Sequence, residues 1–253
     1  MISKNPGMSG STLNLQGKTT LVTGAARRVG KHLALSIARE GGTVILHHGH
    51  SPEEAEEVRR EIINLGSNAY ILQADLNDPQ QASELVSQAL EFGPLFALVN
   101  NAAIFEANNW KNTDLKSWNR HININLTAPF LLSQSFARAI APDEDGRIIN
   151  ILDWRALRPG AGHLPYVISK AGLAALTESL ALALAPRIVV NGLAFGAILP
   201  PSDGGKTEGI TNSIPAQRWA DLDEVGQALI FLLTGPAYIT GEIIHVDGGR
   251  HLV

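Results

Sequence analysis

The chain has 253 residues, enough for one large α/β domain with a real core, and its 45% apolar share is ordinary for a soluble globular protein. A net charge of −4 indicates neither a nucleic-acid nor a membrane surface, and the lack of cysteine excludes a disulfide framework, a thiol nucleophile and a thiolate metal site. Residues 1–14 carry Gly, Ser, Pro and Asn without an apolar run, so they read as a flexible tail rather than a secretory signal. A cytoplasmic protein with a single domain over 15–253 is expected.

Lys18 to Thr23 reads as a short strand, followed by the glycine turn Gly24-Ala-Ala-Arg27-Arg28-Val-Gly30. Val29, Leu33, Ala34, Ile37 and Ala38 then keep helical spacing up to Gly41-Gly42. Strand, glycine turn and helix form the context in which a backbone approaches a pyrophosphate, with the N–H groups of the helix start aimed at the anion. The second strand, Thr43 to His47, ends without the acidic residue that holds the ribose hydroxyls of the unphosphorylated cofactor. Arg27, His50 and Ser51 instead offer cationic or hydrogen-bonding groups for a 2′-phosphate, which favours NADPH. Ser51-Pro-Glu-Glu54 also has the pattern of a capping box, a role compatible with phosphate binding.

Ala69 to Gln73 makes a third strand, Asp78 caps the next helix, and Phe96 to Asn100 makes a fourth strand. From about Asp114 a helix carries Leu115, Trp118, Ile122, Leu126 and Phe130 towards the core. Asn125 lies among these apolar residues and needs a partner. Arg147 to Leu152 reads as a buried strand. After a loop rich in Gly and Pro, Tyr166-Val-Ile-Ser-Lys170 opens a long Ala/Leu-rich helix. Residues four apart share a helix face, so the Tyr166 hydroxyl and the Lys170 ammonium can meet, and a nearby ammonium draws a phenol pKa down towards neutrality. The apolar stretch 171–190 is interrupted by Glu178, Pro186 and Arg187, as befits a core helix and strand rather than a membrane span. Arg187 to Asn191 is a sixth strand, 192–219 a long irregular connection of the kind that closes over ligands, Asp221-Leu-Asp-Glu224 a capping box, and Ile243 to Val246 the last strand.

The glycine turn, Asn100-Asn101-Ala102-Ala103, Asn125, the Tyr166/Lys170 pair and the Val246-Asp-Gly-Gly249 ending resemble the short-chain dehydrogenase/reductase family from about Leu15 to Val253. The resemblance implies a doubly wound Rossmann-type α/β domain of about seven parallel strands with helices on both faces. It implies that Gly24, Arg27, Arg28, Gly30, His50, Ser51, Asp75, Leu76, Asn101, Ala102, Tyr166, Lys170 and Gly196 bind cofactor, with Asp75 at the adenine amino group unless it merely begins a turn. Tyr166 would donate the proton, Lys170 lower its pKa and bind the nicotinamide ribose, and Asn125 distort its helix and hold a water leading to the lysine. A homotetramer is the family habit.

Two positions depart from the common pattern. Arg28 stands at the middle glycine of TGxxxGxG, and Asp153 stands where most of the family has the serine that hydrogen-bonds a substrate carbonyl. With Phe105 soon after the Asn-Asn-Ala turn, these departures are similar to the pteridine reductase branch. Arg28, Phe105, Asp153 and Tyr166 would there bind a pterin, Phe105 by stacking. His50 and Gly49 replace that branch's Arg and His, and Phe195 stands where the family usually has Pro. The expected activity is NADPH-dependent reduction of a dihydropterin-type C=N bond in a small-molecule substrate, with no metal. A short-chain reductase of another carbonyl or imine compound, or a non-catalytic nucleotide-binding scaffold, would share many of these features.

Overall fold

A computed structural model describes residues 14–200 and 207–253, so the expected N-terminal tail lies outside the described residues except for Asn14. Seven parallel strands form one sheet in the order β3-β2-β1-β4-β5-β6-β7, which is the expected doubly wound Rossmann arrangement. The strands are β1 (Thr19–Val22), β2 (Thr43–His48), β3 (Ala69–Gln73), β4 (Ala97–Asn100), β5 (Gly146–Asp153), β6 (Ile188–Phe195) and β7 (Ile243–Val246). Every residue of β1, β4 and β6 is buried, because a parallel sheet is covered on both faces and its strands read as continuous apolar runs rather than alternating ones.

Helices α1 (Arg28–Arg39), α2 (Pro52–Asn64) and α7 (Leu222–Thr234) cover one face around Leu33, Ile37, Val58 and Leu229. On the other face α3 (Pro79–Ala89), α5 (Ala128–Ala139) and α6 (Leu164–Leu184) pack around Leu85, Leu132, Phe136 and Ala181. By length and a mean hydropathy of 1.5, α6 could cross a membrane, yet Leu173, Ala174, Thr177 and Ala181 on it are buried within the fold as a core helix requires. The chain winds from β1 to β2 and β3, then crosses back to β4 on the other side of β1. At that reversal the loops after β1 and β4 diverge and leave a crevice beyond the carboxyl ends of the strands.

Three local expectations change. The helix from Asp114 is broken into α4 (Leu115–Ile122), a π-helical turn at Asn123–Thr127, and α5. The wider turn shifts the phase of the apolar stripe. Beyond it Phe130 is 39% exposed, while Ala128, Leu132 and Phe136 face the core; Leu115, at the start of α4 ahead of the turn, is 73% exposed. Ser51 stands at the N-cap of α2 but its side chain makes no cap bond, so the first residues of α2 are not a capping box; the box at Asp221/Glu224 does form. The connection expected over 192–219 begins later, because β6 continues to Phe195 paired with Val246. A short 3₁₀ turn at Ile210–Ser213 lies within it, and residues 201–206 fall outside the described part.

Candidate active site

At the β1/β4 crevice, a cavity of about 510 Å³ is lined by Gly24, Arg27, Arg28, Gly30, His50, Ser51, Asp75, Leu76, Asn101 and Ala102, ten of the residues expected to hold cofactor. Gly24 has φ +63°, and a Cβ there would press on Ala102. A Cβ on Gly30 would collide with the Gly24 carbonyl and the Asn101 side chain, so only glycine lets α1 start this close to the turn. Asn101 fastens the turn by donating to the carbonyls of Thr23 (2.8 Å) and Gly24 (3.2 Å), and the Thr23 hydroxyl accepts from the backbone of Asn101 and Ala102. At the α1 start Arg27 makes no side-chain cap and no acidic residue occupies the first turn. That leaves orphan N–H groups and the positive end of the helix dipole beside the cavity, a donor set suited to a pyrophosphate.

His47, at the end of β2, was not expected to act here. Its buried Nδ1 accepts from the Gly24 N–H at 3.1 Å, which fixes the neutral tautomer whose Nε2–H donates to the Ala74 carbonyl at 3.0 Å. One imidazole thus ties the glycine turn to the chain after β3, and burial pushes its pKa down to about 4. Asp75 serves a turn, accepting from the Asn77 N–H at 2.9 Å, and also faces the cavity. Arg27, 61% exposed, pairs with Glu54 at 3.4 Å.

A second cavity, of about 430 Å³, is lined by Arg28, Phe105, Asp153, Trp154, Arg155, Tyr166, Lys170, Gly196 and Arg250, and shares Arg28, Val29, Asn101 and Ala103 with the first. Arg28 occupies the left-handed region at φ +54°, an unfavourable conformation for a side chain with a Cβ, and donates to the Pro200 carbonyl at 2.6 Å. It joins the glycine turn to the connection after β6.

Asp153 closes β5 and the start of α6 brings Tyr166 to it. The Tyr166 hydroxyl donates to Asp153 Oδ2 at 3.1 Å, while Asp153 Oδ1 accepts from the Arg155 backbone at 2.8 Å and lies 3.4 Å from its guanidinium. The phenol pKa is not drawn down as the Tyr/Lys spacing alone suggested. Burial and the adjacent Asp153 charge raise it well above the ordinary value, with Arg155 opposing. Lys170 Nζ lies 6.0 Å from the Tyr166 ring centroid and donates to the Ile151 carbonyl at 2.6 Å. Its own pKa falls to about 8, because burial outweighs the attraction of Asp153.

Asn125 lines neither cavity. Fully buried in the π turn, it accepts from the Ile104 N–H (2.9 Å) and donates to the Ile104 carbonyl (3.0 Å) and the Ser169 hydroxyl (3.0 Å). Ser169, missed in the sequence, donates in turn to the Tyr166 carbonyl at 2.7 Å, so Asn125 couples the loop before Phe105 to the helix carrying the tyrosine. Phe105 is 50% exposed, edge-on to Tyr166 (centroids 4.7 Å, 85°) and stacked on His163 (4.0 Å, 17°). His163, Trp154, Arg155 and Arg250 also escaped notice. Arg155 lies two residues past Asp153, which was a local signal; Arg250 reaches the site only through the fold.

A parallel sheet with a glycine turn at its reversal and a Tyr/Lys pair beside that crevice defines an oxidoreductase of the Rossmann type. The chain belongs to the short-chain dehydrogenase family, whose family model matches residues 18–210. It is 34% identical over 240 residues to a 3-oxoacyl-acyl-carrier-protein reductase of Synechocystis sp., covering 93% of this chain and 97% of that protein. Among solved structures it is similar to FolM alternative dihydrofolate reductase 1 from Brucella canis, complexed with NADP, with a TM-score of 0.89, 35% identity, and coverage of 94% of this chain and 96% of that one. A short chain dehydrogenase from Burkholderia cenocepacia in complex with NADP gives a TM-score of 0.88 at 35% identity, covering 94% and 99%.

Proposed function

We propose that the protein is an NADPH-dependent reductase of a dihydropterin-type C=N bond. The observation that carries this reading is the carboxylate of Asp153, 3.1 Å from the Tyr166 hydroxyl at the position where a carbonyl reductase has a neutral serine. A carbonyl under reduction develops an oxyanion, which a carboxylate at that distance opposes. A C=N nitrogen takes up a proton and develops positive charge, which the same carboxylate favours.

The cofactor supplies the hydride that reaches the C=N carbon. Gly24, Gly30, Arg28 and the start of α1 hold its pyrophosphate, and Arg27, His50 and Ser51 its 2′-phosphate. Asp75, Leu76, Asn101 and Ala102 line the adenosine side, and Gly196, Lys170 and Tyr166 the nicotinamide side. Both neighbours bound to NADP support this assignment.

Tyr166 donates the proton to the substrate nitrogen. Its raised pKa keeps it protonated at neutral pH, so the proton is held in place for transfer to the substrate nitrogen. Asp153 orients the hydroxyl, Lys170 compensates the phenolate that forms, and Asn125 with Ser169 positions the start of α6. Phe105 offers its ring to the flat heterocycle opposite the nicotinamide, and Arg28 donates to its acceptor atoms.

The relatives named as 3-oxoacyl reductases support a second reading, reduction of a carbonyl. A panel containing 7,8-dihydropterins, 3-oxoacyl thioesters and simple ketones, assayed with NADPH, separates the two. Highest kcat/KM for a dihydropterin is expected; highest kcat/KM for a 3-oxoacyl thioester would assign the carbonyl reaction instead.

A further inference from the structure

The second cavity has an uneven charge. Among the described residues, Arg28, Arg155, Lys170 and Arg250 line it against the single carboxylate of Asp153. Three of those cations already touch a protein acceptor: Arg28 the Pro200 carbonyl, Lys170 the Ile151 carbonyl, and Arg155, through one nitrogen only, Asp153. Arg250 differs. Among the described residues no carboxylate lies within ion-pair distance of it.

Its guanidinium rests over the Trp154 ring at 4.7 Å from the centroid, and that of Arg155 over the same ring at 4.8 Å. Burial and then the charge of Arg155 lower the pKa of Arg250, and the more distant carboxylates of Asp153 and Asp247 oppose them without reversing the shift. The placement is built rather than incidental. Asp247, buried after β7, accepts from the backbone of Gly249 (2.9 Å) and His251 (2.8 Å) and so locks the C-terminal turn that presents Arg250. Arg158 donates to the His251 carbonyl at 3.2 Å and fastens that turn to the loop after β5.

We infer that Arg250 and Arg155, seated on Trp154, bind an anionic arm of the substrate, so that the enzyme selects among flat heterocycles those whose substituent is negatively charged. Guanidinium pairs charge-assisted and bidentate with carboxylate or phosphate, and a partly buried cavity strengthens that pairing. The inference rests on the pterin reading for the identity of the ring, but the charge of the arm is tested separately.

With saturating NADPH, kcat/KM is measured for 7,8-dihydrofolate, whose arm bears two carboxylates, for 7,8-dihydroneopterin triphosphate, whose arm bears phosphates, and for 7,8-dihydrobiopterin, whose arm is neutral. The parent should prefer at least one anionic substrate over the neutral one, and which of the two leads identifies the arm. In Arg250→Gln that preference should fall at least tenfold, through KM, while Arg250→Lys retains part of it. Raising ionic strength should erode the parent's preference. Equal losses on charged and neutral substrates, or a parent that prefers the neutral arm, would overturn the inference.

If the parent reduces none of the three, the pterin reading has failed, and calorimetric titration of the NADP-saturated protein decides the arm. Binding of p-aminobenzoylglutamate but not of its diamide, lost in Arg250→Gln, upholds an anion site; no difference between the two ligands overturns it.

Discussion

At the scale of single residues, the chemistry turns on what stands beside Tyr166. Replacing Asp153 by Ser leaves the burial that chiefly raises the phenol pKa but removes the carboxylate that adds to it and accepts the hydroxyl. Asp153→Ser should lower kcat on a dihydropterin by about 100-fold, the scale of a lost proton-transfer contribution, while leaving or improving activity on simple ketones. Steady-state assays on both substrate types check this, and equal effects on both would remove the special role of the carboxylate. Tyr166→Phe keeps the ring and loses only the proton, so turnover should fall by orders of magnitude with cofactor affinity retained, as a fluorescence titration of NADPH would read. His47 makes a pH-dependent contribution. Its pKa is about 4 in the fold against 6.5 for an ordinary histidine, so the folded chain binds fewer protons than the unfolded one between those values. The stability from neutral His47 is complete above pH 6.5 and is lost as pH falls from 6.5 towards 4, by about 1.4 kcal/mol per unit where the difference is full. Urea midpoints at pH 7.5 and 5 should therefore differ more in the parent than in His47→Asn.

At the scale of elements, the site depends on helix starts and on one irregular turn. The first turn of α2 holds Glu54 against Arg27, at a distance of 3.4 Å, where a 2′-phosphate would take that guanidinium. Glu54→Gln should free Arg27 and tighten NADPH several-fold while leaving NADH little changed; an equal change in both Kd values would place Arg27 away from the phosphate. The π turn carries Asn125, whose three side-chain bonds satisfy buried groups of Ile104 and Ser169. Asn125→Leu should cost about 2 kcal/mol or more, because each orphaned buried polar group costs roughly 1–3 kcal/mol. It should also lower kcat, and circular dichroism during denaturation separates the two losses. Much of this level was legible beforehand. The strands appeared as apolar runs, and Asp78 and Asp221 announced their helices. The π turn was not legible as a change of phase, because the stripe Leu115, Trp118, Ile122, Leu126, Phe130 continues at regular helical spacing straight through it. Asn125's need for partners was evident, but the partners, a backbone before Phe105 and a hydroxyl on α6, come together only in the packed fold.

For the whole molecule, the two cavities meet at Arg28, Val29, Asn101 and Ala103, so the proposed cofactor and substrate sites form one continuous crevice at the sheet's reversal. A ligand that binds the folded chain alone stabilises it by about 2.7 kcal/mol at 100 times its Kd, which for a chain of this size shifts Tm by roughly 5–10 °C. NADP should raise Tm more than NAD at the same concentration; a larger shift with NAD would overturn the 2′-phosphate assignment to Arg27, His50 and Ser51. Backbone periodicity and short-range sterics sufficed for the glycine turn and the Tyr166/Lys170 face, because each depends on a few neighbouring residues, whereas the parallel sheet was legible only through the family resemblance that the order of motifs carries. Only the tertiary structure decided the charge environment. Whether Lys170 or Asp153 governs Tyr166 depends on burial and on which side chain each group meets, and neither is encoded in spacing. Arg250 likewise joins Trp154, almost 100 residues earlier, only because β7 lies beside β6 and β6 beside β5.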